Sequence, residues 1–116
     1  MAAGKWDFTI EQGATFNRKL TWTNKNKTPI NLTGYTAKMQ VRKNPSDSVV
    51  LIELSTSNGR IAITGLTGAI ELTISATDTT AITWKGGVFS LELTSPGGVV
   101  TRLLEGTVTV SPEITR

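Results

Sequence analysis

Tyr35-Thr-Ala-Lys-Met-Gln-Val-Arg42 decides the class of this chain. Tyr35, Ala37, Met39 and Val41 alternate with Thr36, Lys38, Gln40 and Arg42, the period of two that a strand shows when one face is buried and the other wet. On a helix the same apolar residues would be scattered around the circumference, leaving no face to bury. The wet face of this strand is basic.

The same period recurs on both sides of it. Trp6 to Ile10 alternates, and Gln12-Gly13 breaks the run. From Ala14 to Thr23, Phe16, Leu20 and Trp22 share one face with Thr15, Asn17, Lys19, Thr21 and Thr23 on the other. Arg18 is the exception on the apolar face, which suits a sheet edge where the stem packs and the head reaches water. Downstream, Val49–Leu54 is mostly apolar and reads as a strand buried on both faces. Arg60–Thr64, Ala69–Ser75, Val88–Ser95 and Val99–Val110 complete the set. Gly106, inside the last, predicts a bulge or a close backbone contact.

Turn chemistry separates these runs. Asn24–Pro29 and Asn44–Ser48 read as exposed loops, and Ile30–Gly34 as a short turn-forming link. Asn58-Gly59 is the signal of a tight hairpin, because the two residues accept positive φ. Gly65-Leu-Thr-Gly68 joins two strands, and Pro96-Gly97-Gly98 turns the chain again. Ser75 is placed to cap one helical turn, with Asp78 three residues on reaching back. The expectation is a single domain over residues 1–116: an all-β, antiparallel, immunoglobulin-like β-sandwich of about eight strands with one short helical turn.

Composition agrees and narrows the chemistry. Thr and Ser make up roughly a quarter of the 116 residues, and Thr suits a pleated surface better than a helix. There is no Cys and no His. That removes disulfides, thiolate metal sites, the commonest zinc ligand and any Ser-His-Asp chemistry. The N-terminal residues show no apolar signal segment and no window reaches a transmembrane length, so the expectation is a protein made and kept in a cytoplasm, or built into a particle assembled there.

The net charge of +3 is uneven. Residues 1–44 hold eight Lys/Arg and two acids, a balance of +6, and the remainder hold four and seven, a balance of −3. A basic half can attract nucleic acid, here through Lys25, Lys27, Lys38, Arg42 and Lys43. No aromatic residues interleave these charges as a stacking surface, and a sandwich that interleaves strands from both halves would cancel the imbalance.

Few constellations remain. The carboxylates Asp7 with Glu11 and Asp47 with Asp78 are the pairs not plainly on strand faces, but their spacing does not suggest a glycosidase cleft. Asn44–Ser48 offers one carboxylate, too few for calcium. Gly65–Gly68 has the spacing of an RNA-binding G-x-x-G loop without its flanking helices. Asn26-Lys-Thr28 and Asn31-Leu-Thr33 are sequons that mean nothing without secretion. Trp6, Trp22 and Trp84 are the large aromatics. Trp22 belongs to a core face, whereas Trp6 and Trp84 stand at element ends, where they could anchor a partner or stack on a sugar.

Three segments carry a resemblance: Asp7–Phe16, Pro29–Arg42, and Leu91–Pro96 continued by Thr101–Pro112. Together they resemble the small β-sandwich proteins of tailed-phage and prophage tail-gene clusters, similar to collar proteins that attach tail fibres and to baseplate sandwich domains. The resemblance implies a virion structural part, present in several copies in the phage tail and docked to other tail, fibre or baseplate proteins; that no enzymatic activity is expected rests on the absence of His and Cys. It assigns no role to any named residue. The residues themselves suggest Trp6, Trp84, Arg42 and Lys43 as an interface. No cofactor, metal or membrane is expected, nucleic acid is not an expected partner, and a homo-oligomer is. The alternative is a carbohydrate-binding module contacting host-surface glycans.

Overall fold

The computed structural model describes residues 4–23, 26 and 28–112. Nine strands run in chain order: β1 (Gly4–Lys5), β2 (Phe8–Glu11), β3 (Phe16–Thr21), β4 (Thr36–Arg42), β5 (Ile52–Ser55), β6 (Ile61–Thr64), β7 (Ala69–Ile74), β8 (Gly86–Thr94) and β9 (Val100–Ser111). One helical turn, α1 (Ala76–Thr80), and a 3-10 turn at Gly65–Thr67 lie between them.

The strands form two packed sheets. The larger has the order β1-β9-β8-β4-β5, with β2 also on β9, and the smaller has the order β3-β7-β6. That is the strand order of an immunoglobulin-type sandwich. The core is built from the inward positions of both layers. Met39, Val41, Leu54, Leu91 and Leu93 face it from the larger sheet, and Ile70, Leu72 and Ile74 from β7. Trp6, Phe8, Phe16 and Phe89 form an aromatic cluster at one flank, with Phe8 5.0 Å from Phe89 and 5.1 Å from Phe16.

The period-two reading holds best where it was cleanest. β4 alternates buried Ala37, Met39 and Val41 with exposed or half-buried Thr36, Lys38, Gln40 and Arg42. Ser75 caps α1 by accepting from the Asp78 N–H at 3.2 Å. The buried Thr79 hydroxyl ties that turn to the β2–β3 connection, donating toward Ala14 O at 2.9 Å and accepting from Gly13 N at 3.1 Å. The 65–68 segment is the β6–β7 turn, with Gly68 at φ 65°.

Three expectations are corrected. The sheets are not wholly antiparallel, because β1 and β2 pair with β9 in parallel, Gly4 beside Leu104 and Phe8 beside Val108. The Asn58-Gly59 turn does not close a hairpin. β5 pairs with β4 and β6 with β7, so this turn carries the chain from one sheet to the other. Val49–Leu54 is not a doubly buried strand, since Val49 is 67% exposed and the strand begins at Ile52. The expectation at Gly106, a bulge or a close backbone contact, is met by the contact, while the bulge in β9 falls at Leu103, between the Leu91–Leu104 and Glu92–Arg102 pairs. Gly106 is the close contact: a Cβ there would strike the Trp6 carbonyl. Trp6 and Asp7 themselves interrupt the first strand, leaving β1 and β2 as separate pieces.

Candidate docking surfaces

The candidate residues do not converge. Trp6 is half-buried, its ring 4.8 Å from Phe8 and 6.1 Å edge-on to Phe89. It serves as a lid on the aromatic cluster. Trp22 is half-buried against Tyr35. Arg42 is half-buried and braces the β4–β5 loop, donating to Asp47 O at 2.5 Å and to Gln40 Oε1 at 2.8 Å. Lys43 follows it, exposed. Lys25 and Lys27 lie outside the described residues.

Arg42 lines a depression of about 420 Å³ with Gln40, Val88 and Arg102, and Trp84 lines another. With Leu51, Ile52, Ala81 and Ile82 it walls an open depression of about 370 Å³. Arg60 and Asp78 close one side as an ion pair at 2.7 Å. A mostly apolar concavity with a few convergent polar groups is the usual form of a small-ligand or side-chain pocket. Sequence reading missed Arg60 and Asp78 as partners. They are 18 residues apart, and the antiparallel pairing of β6 with β7 brings them together, setting Arg60 beside Thr73 just before α1.

The sandwich ends differ from its faces. The link at Leu32–Gly34 lies between two turns: Leu32 N donates to Gly65 O at 2.7 Å, and Gly34 abuts the Pro96 ring. The 65–68 and 95–99 turns therefore share one end with the β3–β4 connection. That end carries Leu66, Val99 and Val100, which are 78%, 67% and 57% exposed. Val49, on the β4–β5 connection, is the other strongly exposed large hydrophobic residue among those described.

The faces are polar and self-neutralised. On the outer side of the larger sheet Lys38 stands opposite Glu92, Arg102 pairs beyond it, and Lys5 binds Glu105 at 2.8 Å. On the smaller sheet Lys19 stands opposite Glu71. At these positions, among the described residues, bases of the first half stand beside acids of the second.

The four carboxylates weighed as catalytic pairs are separately engaged or exposed. Asp7 Oδ1 accepts from Thr107 N at 3.0 Å and from its hydroxyl at 2.9 Å, filling the gap that the strand break leaves on β9. These bonds hold its pKa below the ordinary carboxylate value, as Arg60 does for Asp78 and Lys5 for Glu105. Asp47 belongs to the loop that Arg42 braces, and Glu11 is exposed on β2. Among the described residues no group of three acids is close enough to hold a metal ion, and no helix is long and apolar enough to cross a membrane.

The three depressed carboxyls set a pH dependence. Each is harder to protonate in the folded chain than in the unfolded one, so folding binds fewer protons as acid is added. Their contribution is fully present above the ordinary values of 4.5 for Glu105 and 3.8 for Asp7 and Asp78, and is lost as pH falls through the lower folded values. The urea midpoint is expected to fall between about pH 5 and pH 3. The triple variant Asp7→Asn, Asp78→Asn, Glu105→Gln should show a flatter profile, and an unchanged slope would refute the assignment.

No protein-family model matches this chain, and no curated protein matches it.

Proposed function

We propose that this chain is a non-enzymatic structural adaptor of a phage tail, present in several copies and docking tail, fibre or baseplate components through its loop-bearing end. The resemblance carried by Asp7–Phe16, Pro29–Arg42 and Leu91–Pro112 supports the phage assignment. The observation that carries the docking role is the exposure of Leu66 and Val99 on turns, and of Val100 at the start of β9, at one end of the sandwich. Apolar side chains held out on loops from a rigid frame are suited to burial against a partner.

The test is co-purification with the virion proteins encoded beside it, followed by the double variant Leu66→Asp, Val99→Asp. Both positions are exposed, so the variant should keep the wild-type melting temperature and lose the complex. A loss of at least tenfold in affinity is expected, equal to about 1.4 kcal/mol. Failure to bind any co-encoded virion protein, or binding that survives the double variant, would sink this reading.

The Trp84 groove favours a second reading, a glycan contact in which the indole stacks on a sugar and the Arg60–Asp78 pair offers hydrogen bonds. It predicts binding on a glycan array that Trp84→Ala abolishes with the fold intact. A blank array for the wild type removes it.

A further inference from the structure

Each sheet of a sandwich has two edge strands, and an unprotected edge is a template for another strand. Three of the four edges here are guarded.

β5 is closed by a side chain that imitates a strand. Asn58 Oδ1 accepts from Ser55 N at 3.0 Å while its Nδ2 donates to Glu53 O at 2.9 Å, and Arg60 adds a second donor to that carbonyl. In the β4 pairing Thr56 N reaches Ala37 O, so the alternation of an antiparallel ladder turns Glu53 and Ser55 outward. Asn58 therefore occupies the place of a neighbouring strand.

β3 is guarded by Arg18, a charged residue at an inward position on an edge strand. Its guanidinium lies 4.9 Å from the centre of the Phe16 ring and donates to Asn17 O, an outward-pointing carbonyl, at 2.9 Å. The β1–β2 edge is broken at Trp6-Asp7 and carries Lys5, Asp7 and Glu11.

β6 has none of these devices. Ile61-Ala-Ile-Thr64 carries no charge, no proline and no bulge, and shortness is its one restraint. Thr73 N donates to Arg60 O, so Arg60, Ala62 and Thr64 turn their backbone groups to β7, and Ile61 and Ile63 turn theirs outward. Beside the strand, Ile63 and Leu66 wall a depression of about 390 Å³ with Leu32 and Tyr35.

We propose that two copies of this chain pair edge to edge through β6, antiparallel about a two-fold axis at Ala62, giving one continuous sheet across the dimer. The N–H and C=O of Ile61 in one copy then meet those of Ile63 in the other. The charge pattern selects a second copy as the occupant. Self-pairing of β3 would set Arg18 and Lys19 against their own copies, whereas self-pairing of β6 opposes no charges. The pairing deepens the homo-oligomer part of the adaptor reading and rests on it for its role, but it is tested separately, because Leu66→Asp, Val99→Asp addresses docking and Ala62 does not.

Ala62 is exposed and outward-facing, so it admits a larger side chain. At the axis it faces itself. Light scattering across a wide concentration series should show the wild type rising from the 12.4 kDa monomer toward twice that mass. Ala62→Lys alone and Ala62→Glu alone should stay monomeric with melting temperatures near wild type, and an equimolar mixture of the two should restore the dimer. A wild type that stays monomeric throughout, an Ala62→Lys protein that still associates, or a mixture that fails to pair would each overturn the proposal.

Discussion

Leu91→Ala is expected to lower the unfolding free energy by about 3 kcal/mol, the middle of the range for truncating a buried leucine. Leu91 is fully buried on β8, paired with Met39 on one side and Leu104 on the other. Its side chain faces the inner surface of the opposite sheet, so its loss opens a void between layers. The surrounding strands are hydrogen-bonded on both sides and have little freedom to collapse into the space. For a domain of this size the melting temperature should fall by roughly 10–15 °C. Leu66→Ala, the same chemical change at an exposed turn, should move it by no more than about 2 °C. If the two truncations cost the same, the two-layer core described here is wrong.

Gly106→Val should be nearly as damaging for a different reason. No cavity forms. A Cβ at Gly106 collides with the Trp6 carbonyl oxygen and carbon, which are backbone atoms held by the Trp6 N–H bond to Glu105 O at 3.0 Å. Relief requires lifting Trp6 away from β9, which loosens the lid over Phe8 and Phe89 and breaks the Asp7 bonds to Thr107. Steric insertions of this kind cost about 1–3 kcal/mol, and the backbone contact places this one at the upper end. A local loss should precede the global one: hydrogen exchange at Lys5, Trp6 and Thr107 should rise while that at Met39 and Leu91 stays slow. Gly106→Val with wild-type stability would show that the first strand does not lie on β9 as described.

What could be read from the residues followed how local the physics is. β4 was legible because period-two alternation is a property of one strand against one buried face. The α1 cap was legible because Ser75 and Asp78 are three residues apart. Leu66 escaped notice because it stands alone in a turn, and Val99 and Val100 because they read as the start of a strand; only folding brings them to one end. Asn58-Gly59 misled for a related reason. Positive φ at Gly59, observed at 80°, satisfies a tight hairpin and an inter-sheet crossing alike. The choice was made by Asn58 bonding back to β5 rather than by the turn. The parallel seating of β1 and β2 left no mark on their own residues, since the pattern of an edge strand does not say which neighbour it takes or in which direction. Trp6 and Trp84 could not be told apart by position either. One became a lid because Gly106 lets its backbone come close, and the other a groove wall because the chain crosses between sheets beside it.

The parallel contact between the first strands and the last has a mechanical meaning. Gly4–Lys5 and Phe8–Glu11 run alongside Leu104–Glu105 and Val108–Ser111 in the same direction, joining residues 100 positions apart. Tension applied through the two ends of the chain would slide these strands along each other. Their hydrogen bonds, the Lys5–Glu105 ion pair and the Asp7–Thr107 clasp would then bear the load together, where an antiparallel hairpin pulled from its open end parts one bond at a time. A subunit strung between two neighbours by its termini would therefore resist extension at this seam, and the rest of the sandwich would feel the force only after the seam gave way.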